Sequence, residues 1–262
     1  MAEQQIRFED GAAYERHMGS WSRLAGEVFL DWLAPSPGWR WIDIGCGGGA
    51  FSQLLVDRCA PAAVNGIDPS EAQLAYARTR PAARLAHFQQ GDAMALPFPD
   101  GHFDAAVMAL VIFFVPTPAL GVAEMRRTVR PGGAVATYAW DIVGNGIPYE
   151  PILAELRALG VEYPLPPSAP VSRLEALDEV WRGAGLDSVA TRVITVSQTY
   201  TDFDDYWTTH QQVPMLSNVF PGMSAGDIER LKERVQARLS ADGAGPVTVT
   251  GRANAIKGRV PA

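Results

Sequence analysis

A chain of 262 residues that is 47% apolar and 19% charged has enough apolar material to bury a core, which excludes a disordered tether, and no repeat or low-complexity tract interrupts it. Its net charge of −7 excludes an extended nucleic-acid surface, because phosphate binding needs clustered Lys and Arg. Cys46 and Cys59 are too few for a disulfide framework or an unaided metal site, so both are read as reduced and no metal is expected.

The opening residues carry acids and lack the apolar core of a signal peptide. The longest apolar run, 105–115, is well short of the roughly 18 residues that would span a bilayer. A soluble, cytoplasmic protein without a membrane span is therefore expected. Tyr14, His17, Met18 and Trp21 form an aromatic segment suited to a lid over a ligand. Ser20 is placed to cap a helix in which Trp21, Leu24, Ala25, Val28, Phe29, Trp32 and Leu33 recur at helical spacing, ending before Pro35.

The stretch WIDIGCGGGAF, 41–51, then reads as strand, turn and helix. Trp41, Ile42 and Ile44 suit a buried strand, the glycines let the backbone turn, and Phe51, Leu54 and Leu55 resume helical spacing. Such a turn presents unpaired N–H groups and a helix N-terminus to a polar or anionic ligand. Asp43 lies inside the strand, where a buried carboxylate needs a cationic or N–H partner. Asp68 closes the next apolar run about twenty residues on, where an acid accepts from ribose hydroxyls.

Ser70 and Gln73 resemble a capping box for the next helix. A strand at 84–89 leads into GDAMALPFPDGHFD, in which Asp92 lies just past a strand end, placed to meet an amino group on a base. The run 105–115 is read as a central parallel strand, Thr117 and Pro118 as a helix start, 119–129 as the helix, and 134–140 as the next strand. Arg126, Arg127 and Arg130 read as a solvated helix face. Beyond Trp140, helices are expected at 151–159 and 172–181, a strand at 189–199, a helix capped by Ser224, and a strand at 247–256, the two strands adding to the sheet edge. The alternation predicts an α/β protein with a doubly wound, mostly parallel sheet, an antiparallel edge strand and helical cap insertions, binding its ligand beyond the carboxyl ends of the strands. Residues 1–38 would form a lid segment and helix, 39–140 the cofactor-binding core, and 141–262 the cap insertions and last strands of the same domain.

In order, DIGCGGG, GIDPS, GDAMALPFPDGHFD and RTVRPGG resemble the motifs of the class I S-adenosylmethionine-dependent methyltransferases, with their Rossmann-like fold. The branch most similar is the small-molecule one of the ubiquinone and menaquinone biosynthesis enzymes, the methyltransferase type 11 domain. The resemblance covers 39–140, about two fifths of the chain. It implies that Gly45, Cys46 and Gly47 approach the methionyl and ribose portions and that Asp43 helps hold the ammonium group. Asp68 would bind the ribose, Asp92 would accept from the adenine amino group, Ala93 and Met94 would line the base, and Pro69 and Gln73 would cover its other face. Ala109 would lie under the sulfonium arm, and Tyr14 and Trp21 would close the site. Phe113 stands where many relatives have a His, and Thr117 where Asp is common.

The expected reaction is methyl transfer from S-adenosylmethionine to a small, partly apolar or aromatic acceptor, leaving S-adenosylhomocysteine. A general base matters only for an acceptor that arrives protonated, and His210, Asp141 and Tyr206 are the candidates. Two alternatives remain open at this point: an NAD(P)-dependent oxidoreductase, because 45–50 also fits GxGxxA, and a protein that binds S-adenosylmethionine without catalysis. The expected assembly is a monomer or homodimer.

Overall fold

The computed structural model describes residues 11–211, 213–239 and 245–262, the side chains of 11–17 and 214 excepted. Seven strands form one sheet in the order β3-β2-β1-β4-β5-β7-β6. β1 (Arg40–Ile44), β2 (Ala63–Asp68), β3 (Ala86–Gln90), β4 (Phe103–Ala109) and β5 (Val129–Trp140) are parallel, and β7 (Val247–Arg259) pairs antiparallel with both β5 and the outer β6 (Asp187–Tyr200). The chain winds outward from β1 to β3 and then returns to β4, so strand order reverses between β1 and β4. A crevice at the carboxyl ends of these two strands is where such sheets bind ligands.

The helices between strands are α2 (Ala50–Cys59), α3 (Glu71–Ala77) and α4 (Pro118–Thr128). Ser70 caps α3, its hydroxyl accepting from Gln73 N at 3.4 Å. At α4, Thr117 occupies the cap position without a side-chain bond. Its carbonyl, accepting from Leu120 and Gly121, and the following Pro118 start the helix instead.

The expected strand at 105–115 stops at Ala109. Leu110 takes a positive φ of 61° and the chain turns over the sheet edge, yet Ile112, Phe113 and Val115 remain buried in the loop. A continuous apolar run therefore does not mean a continuous strand, because a buried loop needs the same residues. Ser20 likewise does not start a helix. It lies within α1 (Gly11–Leu33), and its hydroxyl donates to Gln198 at 2.8 Å. The apolar spacing of Met18, Trp21 and Ala25 carries the helix through it, a mid-helix Ser costing only tenths of a kcal/mol, roughly.

α1 runs antiparallel to β5. Trp21 meets Trp140 at the end of β5, whereas the Trp32 carbonyl accepts from Lys257, the strand partner of Ala136 in the middle of β5. The N-terminal half of α1 thereby reaches the carboxyl edge. The helices that follow β5 are α5 (Glu150–Ala158), α6 (Leu174–Gly183), α7 (Phe203–His210), α8 (Pro214–Ser217) and α9 (Ala225–Leu239), of which α6 packs on the sheet, its Trp181 indole donating to Val135 O at 3.0 Å. α9 is capped by Ser224, whose hydroxyl accepts from Asp227 N at 3.1 Å, and is pinned to α5 where Arg234 and Arg238 donate to the buried Glu155 at 2.7 and 2.6 Å. Among the described residues no helix is long and apolar enough to cross a membrane.

Candidate active site

The glycine turn between β1 and α2 is held from within the protein. Ile67 O accepts from Gly45 N at 2.7 Å and Cys46 N at 3.0 Å, Gly47 N donates to Asp68 at 2.9 Å, and Gly49 N donates to Cys46 O at 2.8 Å. The expected set of unpaired N–H groups is thus largely spent, and the turn is not an anion cradle. Gly45 has φ +69°, and a Cβ there would lie 2.4 Å from Val111, so the loop after β4 packs directly on the turn. Above Gly47 a Cβ would meet nothing closer than Gln73 Oε1 at 3.7 Å, which leaves room for a ligand.

Two carboxylates take the place that an anion would occupy. Asp43 is fully buried, and one oxygen accepts from the Ser52 hydroxyl at 2.6 Å while the other has no hydrogen-bond partner among the described residues. Burial, reinforced by the charge of Asp68 and offset by Ser52, pushes Asp43 up to about 7. Asp68, 8% exposed, accepts from Gly47 N and Ser70 N, both at 2.9 Å, and burial still holds it above the ordinary carboxylate range. One bond per oxygen leaves lone pairs free on each, the arrangement that two vicinal hydroxyls would complete. The pair suits a ligand that carries vicinal hydroxyls beside a cationic group.

The other site residues gather around this turn. Gln73 is buried beside Gly47 and Gly48, Cys46 is buried with its sulfur against Gly66, and Pro69 is exposed at the end of β2. Asp92 is exposed, with one oxygen accepting from Met94 N at 2.8 Å, and Ala93 and Met94 are half-buried against the core. Ala109 ends β4, two residues before Val111. Trp21 differs from its expected place: fully buried, it packs edge-on against Trp140, and its indole N–H donates to Tyr200 at 2.8 Å on the β5–β6 side. The Tyr14 side chain lies outside the described residues.

Of the three candidate bases, Asp141 is consumed by structure, accepting from Gly144 N at 2.9 Å and from Arg252 at 2.8 Å. His210 is fully buried with Nδ1 2.9 Å from Tyr206 O and Nε2 3.4 Å from the Tyr200 hydroxyl, so both ring nitrogens are engaged. Tyr206 is buried with its hydroxyl unpartnered among the described residues, and burial raises it well above the usual phenol range, so it stays protonated. Sequence reasoning missed Ser52 and Val111, whose roles depend on which residues the fold packs against them. It also missed α7, although Asp202 carries a readable cap, accepting from Asp205 N at 2.9 Å.

Comparison with known proteins agrees with this geometry. A family model described as a methyltransferase domain matches residues 42–137. The chain is 32% identical over 154 residues to the 2-phytyl-1,4-naphtoquinone methyltransferase of Synechococcus elongatus, covering 57% of this chain and 62% of that protein. It is 38% identical over 120 residues to the ubiquinone/menaquinone biosynthesis C-methyltransferase UbiE of Paracoccus denitrificans, covering 44% of this chain and 48% of that protein. The matched stretches therefore span about half to three fifths of these relatives' own lengths. The YcgJ protein of Bacillus subtilis shares the fold, with a TM-score of 0.60 at 18% identity over 91% of this chain and 98% of that one. Through its core, from β1 into β5, the chain matches the methyltransferase domain.

Proposed function

We propose that the protein moves a methyl group from S-adenosylmethionine to a small, partly apolar or aromatic acceptor. The observation that carries this reading is the Asp43–Asp68 pair at the glycine turn, two buried carboxylates suited to a ligand that is cationic and carries vicinal hydroxyls. When bound, S-adenosylmethionine supplies a methyl group on a positively charged sulfur, already a good donor.

Asp68 holds the ribose hydroxyls through its free lone pairs. The Asp43 carboxylate attracts the ammonium group from beneath the turn, and Gly45, Cys46 and Gly47 admit the methionyl chain by having little or no side chain in its way. Asp92 accepts from the adenine amino group, Ala93 and Met94 line the base, and Pro69 and Gln73 close its other face. Ala109 supports the sulfonium arm. The protein's contribution to the transfer is to align the acceptor lone pair with the methyl carbon and to exclude water. No base is required for an acceptor that arrives deprotonated. The aromatic residues Trp140, Tyr149, Tyr200, Tyr206 and Trp207, all buried, surround the acceptor side.

Calorimetric titration with S-adenosylmethionine, S-adenosylhomocysteine and NAD, with Asp68→Ala as control, tests the reading. Saturable binding of the first two, lost in the control, is expected. Binding of NAD alone would overturn it. An acceptor screen with methyl-labelled cofactor then separates an enzyme from a protein that only binds.

A further inference from the structure

Of Arg126, Arg127 and Arg130, which the sequence suggests as a solvated face, the first and last are exposed and only Arg127 departs from it. Arg130 donates to Asp104 at 2.6 Å. Arg127 spends all five of its N–H donors. Nε and Nη2 each donate to Glu124 at 2.7 Å, Nη1 donates to Phe98 O and to Asp100, both at 2.8 Å, and Nη2 donates to Leu96 O at 3.0 Å. Glu124 in turn accepts from Leu96 N at 2.8 Å, and the Arg127 carbonyl accepts from Gly101 N at 2.9 Å. Everything that this pair grips on the far side belongs to the loop 92–101.

Besides this clamp the loop is held by packing, with Leu96 buried in the core and Phe98 against His102 and Phe103, but few other polar ties fix its backbone. Pro97 and Pro99 have no N–H, and within the loop Phe98 N donates to Leu96 O at 2.8 Å, while Leu96 N and Phe98 O find their partners on α4. Its opening turn is an Asp92–Ala95 bridge, with Asp92 also accepting from Met94 N. α4 also meets the loop near its start, where a Cβ on the buried Gly121 would lie 3.9 Å from Ala93 O. One helix face thus touches the loop at Ala93 and clamps it from 96 to 101.

We infer that Arg127 and Glu124 are positioning residues for base recognition: they hold the 92–101 loop so that Asp92 meets the 6-amino group of adenine, and neither touches the nucleoside itself. This rests on the cofactor reading above. A carboxylate on a rigid loop discriminates an amino group from a carbonyl, because the wrong base leaves it facing another acceptor. On a loosened loop the carboxylate swings to solvent and the distinction fades.

The test compares calorimetric affinities for S-adenosylhomocysteine and S-inosylhomocysteine, in which a carbonyl replaces the 6-amino group. The proteins are wild type, Arg127→Met, Arg127→Lys and Glu124→Gln, each also followed by thermal melting. Wild type is expected to favour the adenine compound by tenfold or more, roughly the worth of one amino–carboxylate hydrogen bond. Arg127→Met should lose most of that preference, and Arg127→Lys and Glu124→Gln, which retain part of the clamp, should fall between. Variants that melt lower yet keep the full preference would reduce the clamp to a structural tie and overturn this inference alone. A wild type that binds neither compound overturns the cofactor reading and this inference with it.

Discussion

The Ser52 hydroxyl donates to one oxygen of Asp43 at 2.6 Å, and the other oxygen, equally buried, has no hydrogen-bond partner among the described residues. An unpaired buried carboxylate oxygen is costly, so the folded protein holds a proton on Asp43 up to about 7, against 3.8 in the unfolded chain. The stabilising effect of that proton is fully present below 3.8 and is lost as pH rises to about 7. Across this window the loss is on the order of 4 kcal/mol if the whole shift is realised. Asp43→Asn imitates the protonated acid. Urea melts across the window should show wild-type stability falling with pH and the variant nearly level. Parallel curves would mean that Asp43 does not titrate there.

The same proton couples to the ligand. A cation bound above the turn favours ionised Asp43 and expels the proton, so affinity for S-adenosylhomocysteine should rise as pH increases toward about 7. Calorimetry at pH 6 in buffers of different ionisation heat would then register proton release on binding, and Asp43→Asn would register none. Equal release from both proteins would locate the proton elsewhere.

Gly45 and Val111 offer a separate test of how the turn is built. A Cβ at position 45 meets a left-handed backbone, at φ +69°, and also the Val111 side chain at 2.4 Å. Gly45→Ala should cost about 2–4 kcal/mol from the two effects together. Val111→Ala removes the clash but not the backbone strain, so the double variant should be more stable than the sum of the singles by at least about 1 kcal/mol. Additive losses in denaturant melts would show that the clash is relieved by movement of the loop.

Much of this arrangement was legible in the chain itself. The glycine turn, Asp68, the Asp92 loop and the parallel core are local patterns, each written in a run of adjacent residues, and they emerged where expected. What could not be read depends on partners far apart. Arg127 looks solvated until the loop some 30 residues before it folds back onto α4. Trp21 looks like a lid until Tyr200, 179 residues away, takes its indole N–H. The run 105–115 looks like one strand because burial, not backbone direction, dictates its composition.

The acceptor side can be probed through the tyrosines around His210. Trp21 Nε1 donates to the Tyr200 oxygen at 2.8 Å, Tyr200 is 3.4 Å from His210 Nε2, and His210 Nδ1 is 2.9 Å from the Tyr206 carbonyl. A carbonyl only accepts, so Nδ1 carries a proton, and the Tyr200 hydroxyl, already accepting from Trp21, has its own hydrogen to offer Nε2. The direction of the whole chain follows, and every member except the Tyr206 hydroxyl is satisfied. Tyr200→Phe therefore removes a partner from two buried groups and should cost about 2–4 kcal/mol. Tyr206→Phe removes a hydroxyl that bonds nothing among the described residues, so it should leave stability unchanged or raise it by about 1–2 kcal/mol. If that hydroxyl serves the acceptor, the gain comes with a loss of function: KM for the acceptor rises severalfold while affinity for S-adenosylhomocysteine is unchanged. A Tyr206→Phe protein that is destabilised would reveal a structural partner for the hydroxyl. One that is more stable and fully active would place the acceptor elsewhere along the edge.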